Sequence, residues 1–249
     1  MNQMRRYSMV LAFPTYTLVS MRYHGNAILQ TNDFSSVILQ FSAASKIKKS
    51  VAFFDLDNTL IMGIGYKPKN ATTRISGYGN DIWFSNQEKK IKQAVHYSHE
   101  QYMMLVAEYC AIQKHLHQTT TEDCVPEKLR ELKKSGISIF GLTARSPRIA
   151  ELTHQNGITF CGGRSKKEGL KSFLKTPLGQ HSLFGVQQVL FVDDKKSHCK
   201  EMKAFLDEMK VESLVANYTR VENLLPIATD DEIENDKAQL IKDHGLQLH

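Results

Sequence analysis

Hydrophobic positions along this chain fall into short runs separated by longer amphipathic stretches. Runs at 51–54 (VAFF), 137–142, 158–160 and 189–192, with a fifth around 213–218, predict buried strands. Stretches at 126–134, 147–155, 167–174 and 196–209 carry apolar residues at helical spacing, and the tail at 229–244 opens like a capped helix, Thr229 followed by acids. Strands alternating with helices predict an α/β fold with a parallel sheet. Between the first and second runs lie more than 70 residues, far beyond an ordinary crossover connection. An insert at 63–135 is therefore expected, opening with Gly- and Pro-punctuated loop sequence, passing an Asp81-Ile82-Trp83-Phe84 cluster, and running as one helix over 87–117. The core domain then comprises 28–62 and 136–249, and 1–27 stands apart.

Composition narrows the class. The chain has 249 residues, 41% hydrophobic and 23% charged, a globular balance able to support a core without cross-links. Cys110, Cys124, Cys161 and Cys199 are far apart and form no zinc-type spacing. The net charge of +6 is not gathered into a stripe: residues 1–50 carry six Lys/Arg against one acid, and residues 222–249 carry two against seven. Short Lys clusters lack interleaved aromatic residues, so nucleic acid is not an expected partner. Residues 1–8 are basic, 9–21 mostly apolar and 25–27 small. That pattern reads either as a signal peptide, exporting the mature chain, or as a disordered extension of a chain that stays in the cytoplasm or is delivered to a host cell. No other run is long enough to span a membrane as a helix.

The chemistry is concentrated where the strands end. Asp55-Leu56-Asp57 follows VAFF, Thr143 follows IFGL, and Asp193-Asp194 follows VLFV. Ligands of open parallel sheets bind at the carboxyl ends of the strands, so these groups converge although distant in sequence. Four carboxylates in one pocket need a cation or raised pKa values, and an all-oxygen donor set suits Mg²⁺. One carboxylate of DLD can attack while the other handles a proton; a hydroxyl at Thr143 and a lysine, Lys166 or Lys167, can hold phosphoryl oxygens. The combination predicts phosphoryl transfer through an aspartyl-phosphate.

FFDLDNTL, LTARS, SKKEGL and VLFVDDK, in that order, resemble the four motifs of the haloacid dehalogenase (HAD) superfamily. The resemblance implies a Rossmann-like three-layer sandwich with a small helical cap inserted after the first motif, and a Mg²⁺-dependent phosphatase. It assigns Asp55 as nucleophile and Asp57 as general acid/base. Thr143, Ala144 and Lys166, or Lys167 in its place, fall at the phosphate positions, and Asp193 and Asp194 at the metal site with Asp55 and Asp57. An Asp at the acid/base position is typical of the phosphatases and mutases, whereas dehalogenases lack it. GYGNDIWF, LTARSPRIAE and VDDK resemble more narrowly a bacterial branch from intracellular pathogens, related to acid phosphatases and effector tyrosine phosphatases. The implied substrate is a phosphorylated small molecule or phosphopeptide. A phosphotransferase on the same intermediate and a catalytically silent binding module are the alternatives. Arg145 can meet a substrate anion or pair with a surface acid, and Trp83 can stack on a substrate ring or pack within the cap. Met103, Met104 and Phe205 are expected in the core, and the acidic tail helix is expected against the sheet.

Overall fold

The computed structural model describes residues 27–45, 48–145, 158–162 and 164–248. The expected leader and the expected helix at 147–155 lie outside them. Six strands, β1 (Leu29–Thr31), β2 (Ser50–Phe54), β5 (Ser138–Thr143), β6 (Ile158–Phe160), β7 (Gln188–Asp193) and β8 (Glu212–Tyr218), form a parallel sheet in the order β1-β8-β7-β2-β5-β6. From β2 the chain steps outward to β5 and β6, then returns to the other side of β2 to lay down β7 and β8. This reversal opens a crevice at the carboxyl ends of β2 and β7.

Side-chain alternation along the strands builds two cores. Ala52, Phe54, Leu190, Val192, Leu214 and Ala216 face α1 (Phe34–Ser45) and α4 (Val125–Lys134), whereas Val51, Phe53, Phe140, Leu142, Val189 and Phe191 face α5 (Lys166–Leu174) and α7 (Lys196–Glu208). The protein is thus an α/β three-layer sandwich of Rossmann type. Central strands covered on both faces read as continuous apolar runs, which is why β2 and β7 were legible. The short edge strand β1, the helix α1 and a further helix α6 (Pro177–Leu183) were not anticipated.

The insert differs from the expected all-helical cap. It begins with β3 (Ile61–Tyr66), paired antiparallel with β4 (Leu116–Thr120), and these strands frame α2 (Asp81–Gln93) and α3 (His99–Ile112). The expected single helix at 87–117 is two helices: Asn80 caps the first by accepting from Trp83 N, Ala94 turns extended, and Ser98 caps the second. Helix α4, placed in the insert by the sequence reading, packs on α1 and β5 of the core. Gly65 must lack a side chain, since its φ is +147° and a Cβ would lie 1.5 Å from the Ser76 carbonyl oxygen.

The C-terminal helix also departs from expectation. α8 (Asp230–His244) has the capping box, with Thr229 and Glu232 exchanging bonds, but it packs on the insert and not on the sheet. Leu240 is fully buried there with Tyr66, Tyr78, Trp83, Leu105 and Ile112, and Tyr66 donates to Asp243 at 3.0 Å. Met103 and Met104, expected in the core, are exposed, whereas Phe205 is buried as expected. No helix among the described residues is long and apolar enough to cross a membrane.

Candidate functional site

Strand register aligns the chemistry. Phe54 pairs with Gly141 and Val192, so Asp55 leaves β2 beside Leu142 and Asp193, and its N–H donates to the Val192 carbonyl at 2.9 Å. Asp55, Asp193 and Asp194 each present an oxygen, all within 4.8 Å of one another. Asp55 and Asp193 are buried, and Asp194 has a buried oxygen with no hydrogen-bond partner among the described residues.

The ammonium that meets these carboxylates belongs to Lys166. Its side chain is fully buried, its Nζ lies 2.5 Å from Asp55 and 3.6 Å from Asp193, and it also donates to the Leu142 carbonyl. Lys167, one residue on, points the other way to Glu208 and the Phe205 ring. Helix geometry explains the split: neighbouring positions are about 100° apart around the axis, so only one can face the sheet. Ser165 caps this helix and fixes Lys166 at its first position.

The charges are unevenly matched. Burial pushes the Asp55 carboxyl up to about 7, against the pull of Lys166 and helped by Asp193 and Asp57. Asp194 rises to about 9, through burial and then the charges of Asp55 and Asp193. Burial opposes ionisation of Asp193 too, but His198, at 3.1 Å and 3.2 Å from its two oxygens, Lys166 and the Lys195 N–H hold it below the usual carboxylate range. Lys166 stays above the ordinary lysine range despite burial, because Asp55 and Asp193 face it. With all three acids ionised, the carboxylates outnumber the two ammoniums that act on them, Lys166 and Lys195, and the cluster stays net negative. An all-oxygen donor set with that residual charge is of the kind hard divalent cations take.

Asp57 sits apart from this cluster. The chain turns at Asn58, whose φ of +60° is tolerated by an asparagine, and the Asn58 N–H donates to Ile61. Asp57 is held by Arg145: Nε donates to one carboxylate oxygen at 2.7 Å and the terminal nitrogen to the other. Arg145 thus pairs with an acid, as one of its two expected alternatives had it, but with the partly buried Asp57, because the residue follows β5 directly into the crevice. Thr143 is fully buried at the end of β5 and its hydroxyl accepts from the Arg145 N–H at 3.1 Å, while Ala144 between them is exposed.

Trp83 packs within the insert. It lies in the first turn of α2, 5% exposed, edge-on to Tyr78 with ring centroids 5.1 Å apart, so the insert core takes its indole face. The neighbouring Asp81 is the residue that reaches the site: it accepts from Asn58 at 2.7 Å and from the Tyr109 hydroxyl at 2.5 Å, joining the DLDN turn to both insert helices. Burial and then the charge of Asp57 raise its pKa. Asp81, Asn58, Asp194 and Lys195 line a cleft of about 330 Å³ whose apolar wall includes Ile82, Val221 and Leu225. Asp81 was legible as part of a cluster, but nothing in the sequence tied it to Asn58; His198 carried only its position five residues after Asp193.

These features define an α/β protein of Rossmann-like architecture with an acidic, lysine-countered centre at the switch point of its sheet. The chain belongs to the family described as protein of unknown function (DUF2608), whose model matches residues 30–155 and 149–243. No curated protein matches the sequence.

Proposed function

We propose that the protein is a Mg²⁺-dependent phosphomonoester hydrolase of the HAD superfamily, working through an aspartyl-phosphate. The observation that carries this reading is the meeting of Lys166 with the Asp55, Asp193 and Asp194 carboxylates at the ends of separate strands. Like charges at this spacing in a buried setting repel, and a fold retains such a cluster at a cost in stability. The unpartnered Asp194 oxygen and the surplus of carboxylates over ammoniums fit a divalent cation, which Asp55, Asp193 and Asp194 would hold together with the Asp57 backbone. When bound, Mg²⁺ supplies charge neutralisation at the phosphoryl oxygens.

In the first step Asp55 attacks phosphorus. The phosphorus–ester bond breaks, its electron pair goes to the leaving oxygen, and that oxygen takes a proton from Asp57. Lys166 and the Thr143 hydroxyl stabilise the phosphoryl oxygens. In the second step Asp57 accepts a proton from water as the water oxygen attacks phosphorus, releasing inorganic phosphate and restoring Asp55. The substrate is a phosphorylated small molecule or a phosphorylated side chain.

The test is hydrolysis of an aryl phosphate by purified protein beside Asp55→Asn, with Mg²⁺ and with chelator. Turnover lost in the variant and in chelator is expected. Phosphoryl transfer to an added alcohol exceeding phosphate release would make the protein a transferase. Folded protein that binds Mg²⁺ without turning over any phosphate would make it a binding module.

A further inference from the structure

In a parallel sheet each crossover helix returns the chain to the amino ends of the strands, the edge opposite the crevice. Here the returns lead from α1 to β2, α4 to β5, α6 to β7 and α7 to β8. Register sets the strand starts side by side: Glu212 lies opposite Gln188, Gln188 opposite Ser50, and Val51 opposite Ser138. Neighbouring strands are about 4.8 Å apart, so the row from β8 to β5 spans roughly 15 Å. Lysines flank these starts: Lys210 before β8, Lys49 before β2, and Lys133 and Lys134 in the last turn of α4 before β5. All four are exposed. The nearby carboxylates are engaged by other lysines, Glu212 by Lys48, Glu131 by Lys128, Asp207 by Lys203 and Glu208 by Lys167, and none of the four has an ion-pair partner among the described residues.

The same edge holds apolar side chains out in solvent. Helix α6 and the turn after it expose Leu178 at 52% and Phe184 at 81%, and Met209 beyond the end of α7 is 43% exposed. The Phe184 backbone is fixed on both sides: its N–H donates to the Gln180 carbonyl at 3.0 Å, the Lys49 ammonium donates to its carbonyl at 2.6 Å, and Gly185 turns the chain at a φ of +70°. An aromatic ring kept in water by an ordered turn, beside a lysine that anchors the turn, marks an interaction surface. The other end of the sheet has the opposite charge. Asp55, Asp57, Asp193 and Asp194 stand there, separated from the lysine edge by the six residues of β7, about 17 Å of strand.

We propose that this edge docks on the surface of a bilayer containing anionic phospholipid, with Phe184 and Leu178 entering the headgroup region and Lys49, Lys133, Lys134 and Lys210 facing the lipid anions. Charge complementarity selects this occupant: unpaired ammoniums around apolar side chains match a surface that is anionic outside and apolar beneath. A single-stranded nucleic acid needs successive stacking faces, and the exposed apolar side chains beside Phe184 are aliphatic, Leu178 and Met209. The same edge of a second copy would set ammonium against ammonium. The acidic crevice is repelled by an anionic bilayer, so docking turns it toward the aqueous phase and toward dissolved substrate. The inference goes beyond the hydrolase reading and does not depend on it, because none of the docking residues belongs to that site.

The experiment uses the full chain carrying Phe184→Trp, mixed with vesicles of phosphatidylcholine alone or of phosphatidylcholine with phosphatidylserine. Trp83 is the only native tryptophan and is buried, so a change in emission reports position 184. The expected result is blue-shifted emission, quenched by lipids brominated on their acyl chains, with the serine lipid and neither effect without it. Co-sedimentation then measures the charges. Each lysine near an anionic bilayer strengthens binding about fivefold, so the triple variant Lys49→Gln/Lys134→Gln/Lys210→Gln should bind about a hundredfold more weakly. Phe184→Ala should weaken binding about tenfold or more. The control triple Lys89→Gln/Lys114→Gln/Lys242→Gln makes the same change in net charge on the insert and α8, and should stay within about threefold of wild type, since charges beyond a Debye length are screened. Unmoved emission at position 184 in a chain that still sediments with vesicles puts the contact elsewhere, for instance in the basic residues 1–8, and overturns the inference. Equal weakening by the two triples, no binding to the anionic vesicles, or binding to a single-stranded oligonucleotide without any shift on vesicles overturns it too.

Discussion

Replacing Lys166 by methionine, beside the same change at Lys167, separates two adjacent lysines that the sequence alone presents as equals. The Lys166 ammonium is fully buried and faces Asp55 at 2.5 Å and Asp193 at 3.6 Å. Removing one partner of a buried pair leaves uncompensated charge, at a cost of about 3–5 kcal/mol. Methionine preserves the stem's packing, so the loss is electrostatic and not a cavity. For a chain of this size each kcal/mol moves the melting temperature by about 2–4 °C, giving a fall of roughly 6–20 °C for Lys166→Met. Lys167 meets the exposed Glu208 at 3.7 Å, a contact worth about 0–1 kcal/mol, so Lys167→Met should melt within a few degrees of wild type. The melts are run in chelator at pH 8, and again at pH 5, where protonation of the raised carboxyls softens the Lys166→Met defect. Two variants within about 1 kcal/mol of each other at pH 8 would refute the assignment of Lys166 as the countercharge.

Three further outcomes follow from the same structure. Asp55 and Asp194 have folded pKa values near 7 and 9 against an ordinary 3.8, so the folded state binds extra protons; their contribution is largest below about pH 4 and is lost as pH rises through 7 and 9. In chelator, stability should therefore fall less steeply from pH 6 to 9 in Asp194→Asn than in wild type, and parallel profiles from denaturant melts would contradict the raised Asp194. Trp83 is the only tryptophan and is 5% exposed, so emission should be blue-shifted and poorly quenched by acrylamide; Leu240→Ala, expected to cost about 2–5 kcal/mol, should raise quenching if α8 covers the insert, and unchanged quenching would argue against that packing. Gly65→Ala drives a Cβ to 1.5 Å from a carbonyl oxygen in a left-handed conformation, and should leave little soluble folded protein, whereas Gly136→Ala, with nothing within 4 Å, should cost about 1 kcal/mol for its positive φ. Equal melting temperatures for the two alanine variants would count against the close approach at Gly65.

What the sequence disclosed depended on how far each signal is local. β2 and β7 are covered on both faces and show as unbroken apolar runs, and the acids that end them stand next to those runs in the chain. The insert was harder because its order is tertiary. α2 and α3 have no clean apolar stripe separating them from what lies between, and the break at 94–98 is set by the Ser98 cap and the extended Ala94. β3 is interrupted by Gly63 and Gly65, β4 is largely polar, and they become strands only by pairing across 50 or more residues of chain.

The site was legible to the same limit. Its acids announce themselves by standing at strand ends, but the pairing that holds the Asp57 carboxylate is between residues 88 positions apart, and no periodicity encodes it. The tail shows the opposite error. Its capping box was readable, yet an amphipathic helix states only that it has an apolar face, not where that face goes. The insert had a free apolar surface in Tyr66, Tyr78 and Trp83, and the sheet had none left once α1, α4, α5 and α7 covered it. Packing α8 on the insert buries Leu240 against those aromatic rings and ties Asp243 to Tyr66, so the element bearing Asp81 is braced from behind by the end of the chain. The position of Asp81 beside the DLDN turn is in this sense a consequence of residues more than 150 positions away, and a change at Leu240 should be felt at Asn58 before it is felt in the sheet.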